Sequence, residues 1–345
     1  MSHLYSNKIL CFGEMLLRLT PENHDRLEQA ANLQLYFDGA EGMVAAALAQ
    51  QGDNVAFMTD ISNNSIGKRA IMSLKGVGVD TSRVRSMPGR MGLFYLERGS
   101  AMRNSKVTYD RGGTPLALAH REEFDWDSLL NGVEAFYFSG VLPAVSQEMR
   151  LVCADALFAC KGRGIKTYCD INYRRRMWAA DEARELWDML LPMVDVCVAS
   201  DEDLWRIFPP EDECPNKSNT LHFISYYLDL GKRLVKDYEL SKLAIELRAT
   251  SANGLGRWQG VLIGDDGSVS RSQIRQVADG EYPGCGDAFA AGVLHACQRR
   301  WGAQRTIEYA LTASVLKSTI SGSMSYTSEG EILEAMENVL PRIDH

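Results

Sequence analysis

The chain is expected to fold as an α/β protein with a mostly parallel sheet covered on both faces and a small antiparallel sheet set into it. Three observations carry this expectation. Short apolar runs alternate with helix-like stretches of ten or more residues, the rhythm of parallel sheets. Runs such as Ala135-Phe136-Tyr137-Phe138 are apolar at consecutive positions, which suits strands buried on both faces. Two runs between residues 93 and 111 have only a polar turn between them.

Taken in order, Lys8 to Gly13 reads as a buried strand. Met15 to Thr20 alternates as a half-exposed strand stopped by Pro21, and Leu33 to Phe37 alternates similarly. Glu41 to Gln51 is a helix rich in Ala, Leu and Met, with Gly52 as its C-terminal stop. Val55 to Met58 is a strand and Ile66 to Lys75 a helix. Leu93 to Arg98 and Lys106 to Arg111 form the inserted strand pair. After Pro115 the rhythm resumes, with strands at Ala135–Ser139, Thr167–Asp170 and Val194–Ala199 and helices at Gln147–Lys161 and Asp181–Leu191. Residues 209–219 hold three prolines and several acids and read as a surface loop. Leu243–Leu247 and Gln259–Ile263 are further strands. Helices are expected over Asp287–Arg300, from Ala303 to about Lys317, and over Ser328–Val339.

Composition narrows the function. The 345 residues are 46% hydrophobic and 24% charged, ordinary globular values that fit two domains or one large one. A formal net charge of −8 gives no overall attraction for nucleic acid or anionic lipid. No apolar run reaches the ~20 residues of a membrane span, and the opening residues lack a signal-peptide core. The eight cysteines form no CxxC pair and no zinc spacing, as expected of reduced thiols in a cytoplasmic protein.

The most informative segment is Tyr282-Pro283-Gly284-Cys285-Gly286-Asp287 at the start of a helix. Glycines there allow close approach of a ligand, and the first-turn N–H groups with the helix dipole favour an anion. Asp287 places a carboxylate beside that anion hole. The pair suits phosphoryl transfer to a hydroxyl, with the amides holding the transferring group and the carboxylate accepting the proton. An ordinary glycine loop capped by Asp287 has the same appearance.

Three further segments are candidates. Asp170-Ile171-Asn172-Tyr173-Arg174 follows a strand, where parallel sheets bind ligands, and Arg174 suits a carboxylate or phosphate. It also reads as an exposed basic run. Asp38-Gly39-Ala40-Glu41 precedes a helix, either as a site or as a plain capped loop. Tyr109 and Arg111 share one strand face and suit a sugar acid or a cation–π pair. Cys285 lies between two glycines at a helix start, so its thiol is expected to have a lowered pKa and to be alkylated with loss of activity.

In this order the segments resemble the ribokinase-like (PfkB) carbohydrate kinases along nearly the whole chain, most of all the 2-keto-3-deoxygluconate kinases. The matching pieces are Phe12-Gly13-Glu14-Met15 with Leu17 to Pro21, Gly39-Ala40-Glu41, Gly92-Leu93-Phe94, Tyr109-Asp110-Arg111, Asp170 to Arg174 with Trp178, and Gly284 to Phe289. The resemblance implies a single three-layer α/β/α body over residues 1–345. A β-sheet lid, approximately residues 15–37 and 90–112, would be inserted in it and often forms a homodimer interface. It implies phosphorylation of a sugar or sugar acid by ATP with Mg²⁺. By position, Asp287 is the base, with Gly284, Cys285 and Gly286 as the anion hole. Gly39, Phe94, Tyr109, Arg111 and Arg174 line the acceptor site, and Ser200 and Asp203 stand at the nucleotide and magnesium positions. Arg111 and Arg174 favour a substrate carboxylate.

The chain departs from the pattern at several places. Phe94 replaces a Tyr, Asp38 replaces a glycine, and Met43 replaces an Asn that bonds sugar hydroxyls. Glu281-Tyr282-Pro283 replaces an Asp-Thr-Thr that helps bind a monovalent cation, which leaves potassium dependence open. Ser200 and Asp203 replace an Asn and a Glu. Three alternatives follow: a catalytically weak sugar-binding paralogue, a kinase for a neutral sugar such as fructose or ribose, and an unrelated nucleotide-linked oxidoreductase. The last lacks a Gly-x-Gly-x-x-Gly after the first strand.

Overall fold

The computed structural model of the protein describes residues 8–99, 103–209, 220–250, 255–278 and 282–337. Most of the proline-rich loop, Cys214, Glu281 and the end of the helix expected to reach Val339 lie outside the described residues.

The chain opens with β1 (Lys8–Phe12), β2 (Leu16–Pro21) and β3 (Leu33–Asp38), then α1 (Ala40–Gln50) and β4 (Val55–Ser62). Next come α2 (Ser65–Gly76), β5 (Asp80–Met87), β6 (Gly92–Glu97) and β7 (Lys106–Asp110). Two short turns of helix, α3 (Pro115–Leu118) and α4 (Trp126–Leu129), lead to β8 (Val133–Ser139), α5 (Gln147–Arg163) and β9 (Lys166–Asp170). They are followed by α6 (Ala180–Leu190), β10 (Val196–Ser200), α7 (Asp201–Ile207) and α8 (Thr220–Asp237). The remainder is β11 (Lys242–Thr250), β12 (Leu255–Gly264), β13 (Val269–Arg271), β14 (Arg275–Ala278), α9 (Cys285–Gln298), α10 (Ala303–Ser318) and α11 (Glu329–Glu337).

The large sheet runs β13-β12-β11-β10-β9-β8-β1-β4-β5, with β14 also paired to β12. From β11 to β5 every pairing is parallel; β12, β13 and β14 add antiparallel strands at one end. Successive residues of β1 feed opposite faces, as the strand period of two requires. Leu10 and Phe12 join one core with Val152 of α5, Leu186 of α6 and Tyr227 of α8. Ile9 and Cys11 join the other with Val44 of α1, Phe289 of α9 and Leu311 of α10. The three-layer α/β/α expectation is therefore met.

The second sheet has the order β3-β2-β6-β7. The pair expected around residues 93–111 is β6 and β7, antiparallel with Phe94 opposite Tyr109. β6 in turn pairs in parallel with β2, placing Phe94 beside Arg18. Strand β3 is an edge, with Leu33 and Leu35 exposed.

The sequence reading missed β5 and α8. β5 alternates polar residues with only Val84 and Met87 and lies at the sheet edge, so its apolar signal is weak. α8 follows the acidic proline-rich stretch, which masks where its apolar stripe begins.

Candidate active site

The parallel strands deliver their C-terminal ends to one side of the sheet, where ligands of such folds bind. A cavity of about 520 Å³ opens there. Its walls include Tyr109 from β7, Asp170, Arg174, Ser200 and Asp203 beyond β9 and β10, and Gly284, Gly286 and Asp287 at the start of α9. Eight residues named from the sequence thus meet in one place. Gly39, Phe94, Cys285 and Arg111 do not line this cavity.

The helix start is built as expected. Gly284 caps α9 with φ 87°, left-handed backbone that glycine adopts without strain. A Cβ there would lie 2.0 Å from the Ser323 carbonyl oxygen, so the position admits no side chain. The Cys285 amide donates to the Tyr282 carbonyl at 3.3 Å and closes the turn. The amides of Gly286 and Asp287 lack intrahelical acceptors and face outward, as first-turn amides do.

Asp287 is the carboxylate of this turn. Burial, reinforced by the nearby charges of Asp38 and Glu41, pushes its pKa up to about 7, while Arg174 and Lys317 oppose the rise. A base poised near neutrality is the arrangement that serves proton transfer at physiological pH. Asp170 is also held well above the usual carboxylate range by burial, then by Asp203 and Asp287. Arg174 is exposed at the cavity wall, and its cation counters all three acids.

Ser200 and Asp203 form a capping box for α7. Asp203 accepts from the Ser200 hydroxyl at 2.6 Å and from the Tyr173 amide at 2.7 Å. Its carboxylate therefore holds the loop that carries Arg174 as well as facing the cavity. Tyr109 packs on Phe94 with ring centroids 5.9 Å apart, and the Arg111 guanidinium lies 5.6 Å from the Tyr109 ring. Arg111 is also ion-paired with Glu14, which is 3% exposed and accepts from the Thr114 hydroxyl at 2.5 Å.

One expectation is corrected. The Cys285 thiol is fully buried, and burial pushes its pKa up to about 12 despite the nearby cations Arg248 and Lys317. The helix start aims its amides at the cavity but turns this side chain into the core. Met43, which replaces the Asn of the resemblance, is 1% exposed in the core and does not line the cavity, in keeping with a position that makes no sugar contact.

The sequence reading named the segments that hold Glu41, Asp38 and Arg18 but not the roles of these side chains. Glu41 is completely buried and accepts from the Ser139 amide at 3.1 Å and its hydroxyl at 2.6 Å. Burial raises its pKa to about 7. Arg18, also fully buried, donates to Asp38 at 2.9 Å and to the Ser323 hydroxyl, with its guanidinium 4.4 Å from the Tyr36 ring centre. Asp38, which departs from the family's glycine, is thus the counter-charge of a buried arginine. The one available signal was a charged residue between Leu17 and Leu19 in an otherwise apolar strand.

Among the described residues no helix is long and apolar enough to cross a membrane, and no three metal-ligating side chains cluster to hold a metal ion. A family model described as pfkB family carbohydrate kinase matches residues 6–223. The 2-dehydro-3-deoxygalactonokinase of Haloferax volcanii is 26% identical over 325 residues, 94% of this chain and 95% of that protein. The crystal structure of 2-dehydro-3-deoxygluconokinase from Thermotoga maritima superposes with a TM-score of 0.88 at 32% identity, covering 96% of this chain and 99% of that one. The crystal structure of a PfkB family carbohydrate kinase from Listeria grayi gives 0.86 at 27% identity, over 96% and 100% of the two chains.

Proposed function

This chain belongs to the pfkB family of carbohydrate kinases, and from that premise we propose that it transfers the γ-phosphoryl group of Mg-ATP to a hydroxyl of a 2-keto-3-deoxy sugar acid. The observation that carries this reading is Asp287, its pKa near 7, at a helix start beside outward-facing amides in a cavity that also holds Arg174. The names of the Haloferax and Thermotoga relatives support the substrate class. They also favour turnover over a binding-only paralogue.

Asp287 takes the proton of the acceptor hydroxyl as it attacks. The Gly286 and Asp287 amides and the α9 dipole stabilise charge on the transferring group. Arg174 binds the substrate carboxylate, and Tyr109, packed from behind by Phe94, forms an aromatic wall for the sugar chain. Glu14 fixes the Arg111 guanidinium beside the Tyr109 ring. Magnesium bound to the nucleotide would supply charge neutralisation at its phosphates. Asp170 and Asp203, which line the cavity, would face an ion that arrives with the donor's phosphates.

The small sheet acts as a lid that excludes water during transfer. The Arg176 guanidinium, bonded to the Val107 carbonyl of β7, ties it to the substrate loop. The exposed Leu33 and Leu35 on edge strand β3 support pairing of two copies through this sheet.

The test is ADP release from Mg-ATP against 2-keto-3-deoxygluconate, its galactonate epimer, other sugar acids and neutral sugars, with Asp287→Asn alongside. Turnover of a keto-deoxy acid that disappears in the variant supports the reading. Turnover confined to fructose or ribose removes the sugar acid, and none at all with retained ATP binding removes the kinase.

A further inference from the structure

The family resemblance carries an expectation of a monovalent cation near the anion hole. The structure does not fit a free ion there, because a side chain already supplies the charge. Lys317 in the last turn of α10 is 1% exposed. Its Nζ donates to the Ile320 carbonyl and to the Gly322 carbonyl, each at 2.9 Å. Backbone carbonyls in a turn are the ligands that replace water around a potassium ion, and an ammonium of the same charge and similar size takes them here.

The turn that Lys317 holds is the one against which the anion hole is built. A Cβ on Gly284 would lie 2.0 Å from the Ser323 carbonyl oxygen and 3.1 Å from Lys317 Cε. Ser323 is bonded in turn to Asp38 and Arg18 at the base of the small sheet. Burial lowers the Lys317 pKa and Arg18 adds to this, while Cys285, Asp287 and Asp38 oppose it. A mobile cation at the same carbonyls would have to displace Nζ and face the positive charge of Arg18 as well.

We propose that the Lys317 ammonium is a tethered monovalent cation. It holds residues 320–323 against Gly284, keeps the amides at the start of α9 aimed at the nucleotide's terminal phosphates, those of ADP included, and frees the protein from added potassium. Lys317 is a positioning residue in this account, acting through the turn and Gly284. The proposal rests on the kinase reading, since the anion it serves is the nucleotide's phosphate.

The experiment measures Mg-ADP affinity by calorimetry and phosphoryl-transfer rate in the chlorides of potassium, ammonium, sodium and tetramethylammonium at equal ionic strength. Wild type, Lys317→Met and Lys317→Ala are compared, with circular dichroism as the check on folding. For wild type, both quantities are expected to vary by less than about twofold across the salts. Lys317→Met keeps the bulk without the charge and should lose about tenfold in ADP affinity. Lys317→Ala should regain most of its loss in potassium or ammonium and none in tetramethylammonium, a rescue that a purely structural lysine would not show.

Potassium stimulation of wild type by about fivefold or more overturns the proposal, as does a folded Lys317→Met with wild-type ADP affinity. So does a folded Lys317→Ala that no small cation restores. If neither variant folds, the wild-type salt series decides alone. ADP binding uses no sugar, so salt-independent ADP binding without turnover on a keto-deoxy acid removes only the substrate reading.

Discussion

Replacing Asp287 by Asn should stabilise the protein and abolish its chemistry at once. In the unfolded chain this carboxyl titrates near its ordinary 3.8, and in the folded protein near 7. Below pH 3.8 both states are protonated and the residue costs nothing. Between the two values the unfolded chain releases its proton first, so the folded state loses stability as pH rises. Above 7 the loss is complete. Such a displacement corresponds to about 4 kcal/mol at full value, and to about 2–4 kcal/mol after screening by water in the cavity. Asn removes the charge and keeps the shape. The difference in unfolding free energy between variant and wild type should be near zero at pH 4 and grow to that range by pH 8. Glu41, whose pKa also lies near 7, is present in both proteins, and its repulsion with Asp287, part of that displacement, is lost with the charge. The assay is denaturant unfolding at a series of pH values, paired with ADP release. Turnover should fall by about 10²–10⁴-fold. A stability difference that does not change with pH, or a variant that still turns over, would refute a buried, uphill-titrating base at this position.

Three other outcomes are expected. Arg174→Ala should lower kcat/KM for a sugar acid by about 10–100-fold and leave any neutral sugar nearly unaffected, with Arg174→Lys recovering little, as steady-state kinetics on both substrate types will show. Iodoacetamide at pH 7.5 should leave activity intact and mass spectrometry should find Cys285 unmodified, because its thiol is buried and titrates near 12. Gly39→Ala should destabilise by about 2–4 kcal/mol in thermal unfolding. Its φ of 149° strains any other residue, and the new Cβ would lie 2.1 Å from the Glu14 carbonyl oxygen.

The sequence by itself determined the alternating architecture, because burial on both faces of a parallel strand writes itself as a continuous apolar run. It also determined the β6–β7 pair of the small sheet, since those strands are neighbours in the chain, and it pointed to Asp287 as the proposed base, since the glycines and Asp287 adjoin within one helix start. These features are local, and local pattern is what a sequence displays. Direction and long-range pairing are different. Nothing near residue 285 says that its side chain turns into the core while its neighbours face the cavity, nor does the sequence say that Met43 is buried among apolar side chains. Arg18 meets Ser323 across 305 positions, and Asp38 makes sense only once that buried guanidinium needs a counter-charge. Lys317 reads as an ordinary basic residue in a last helical turn until the fold brings its carbonyl-bound ammonium to Gly284. Those placements depend on which surfaces exclude water together, and only the tertiary structure decides that.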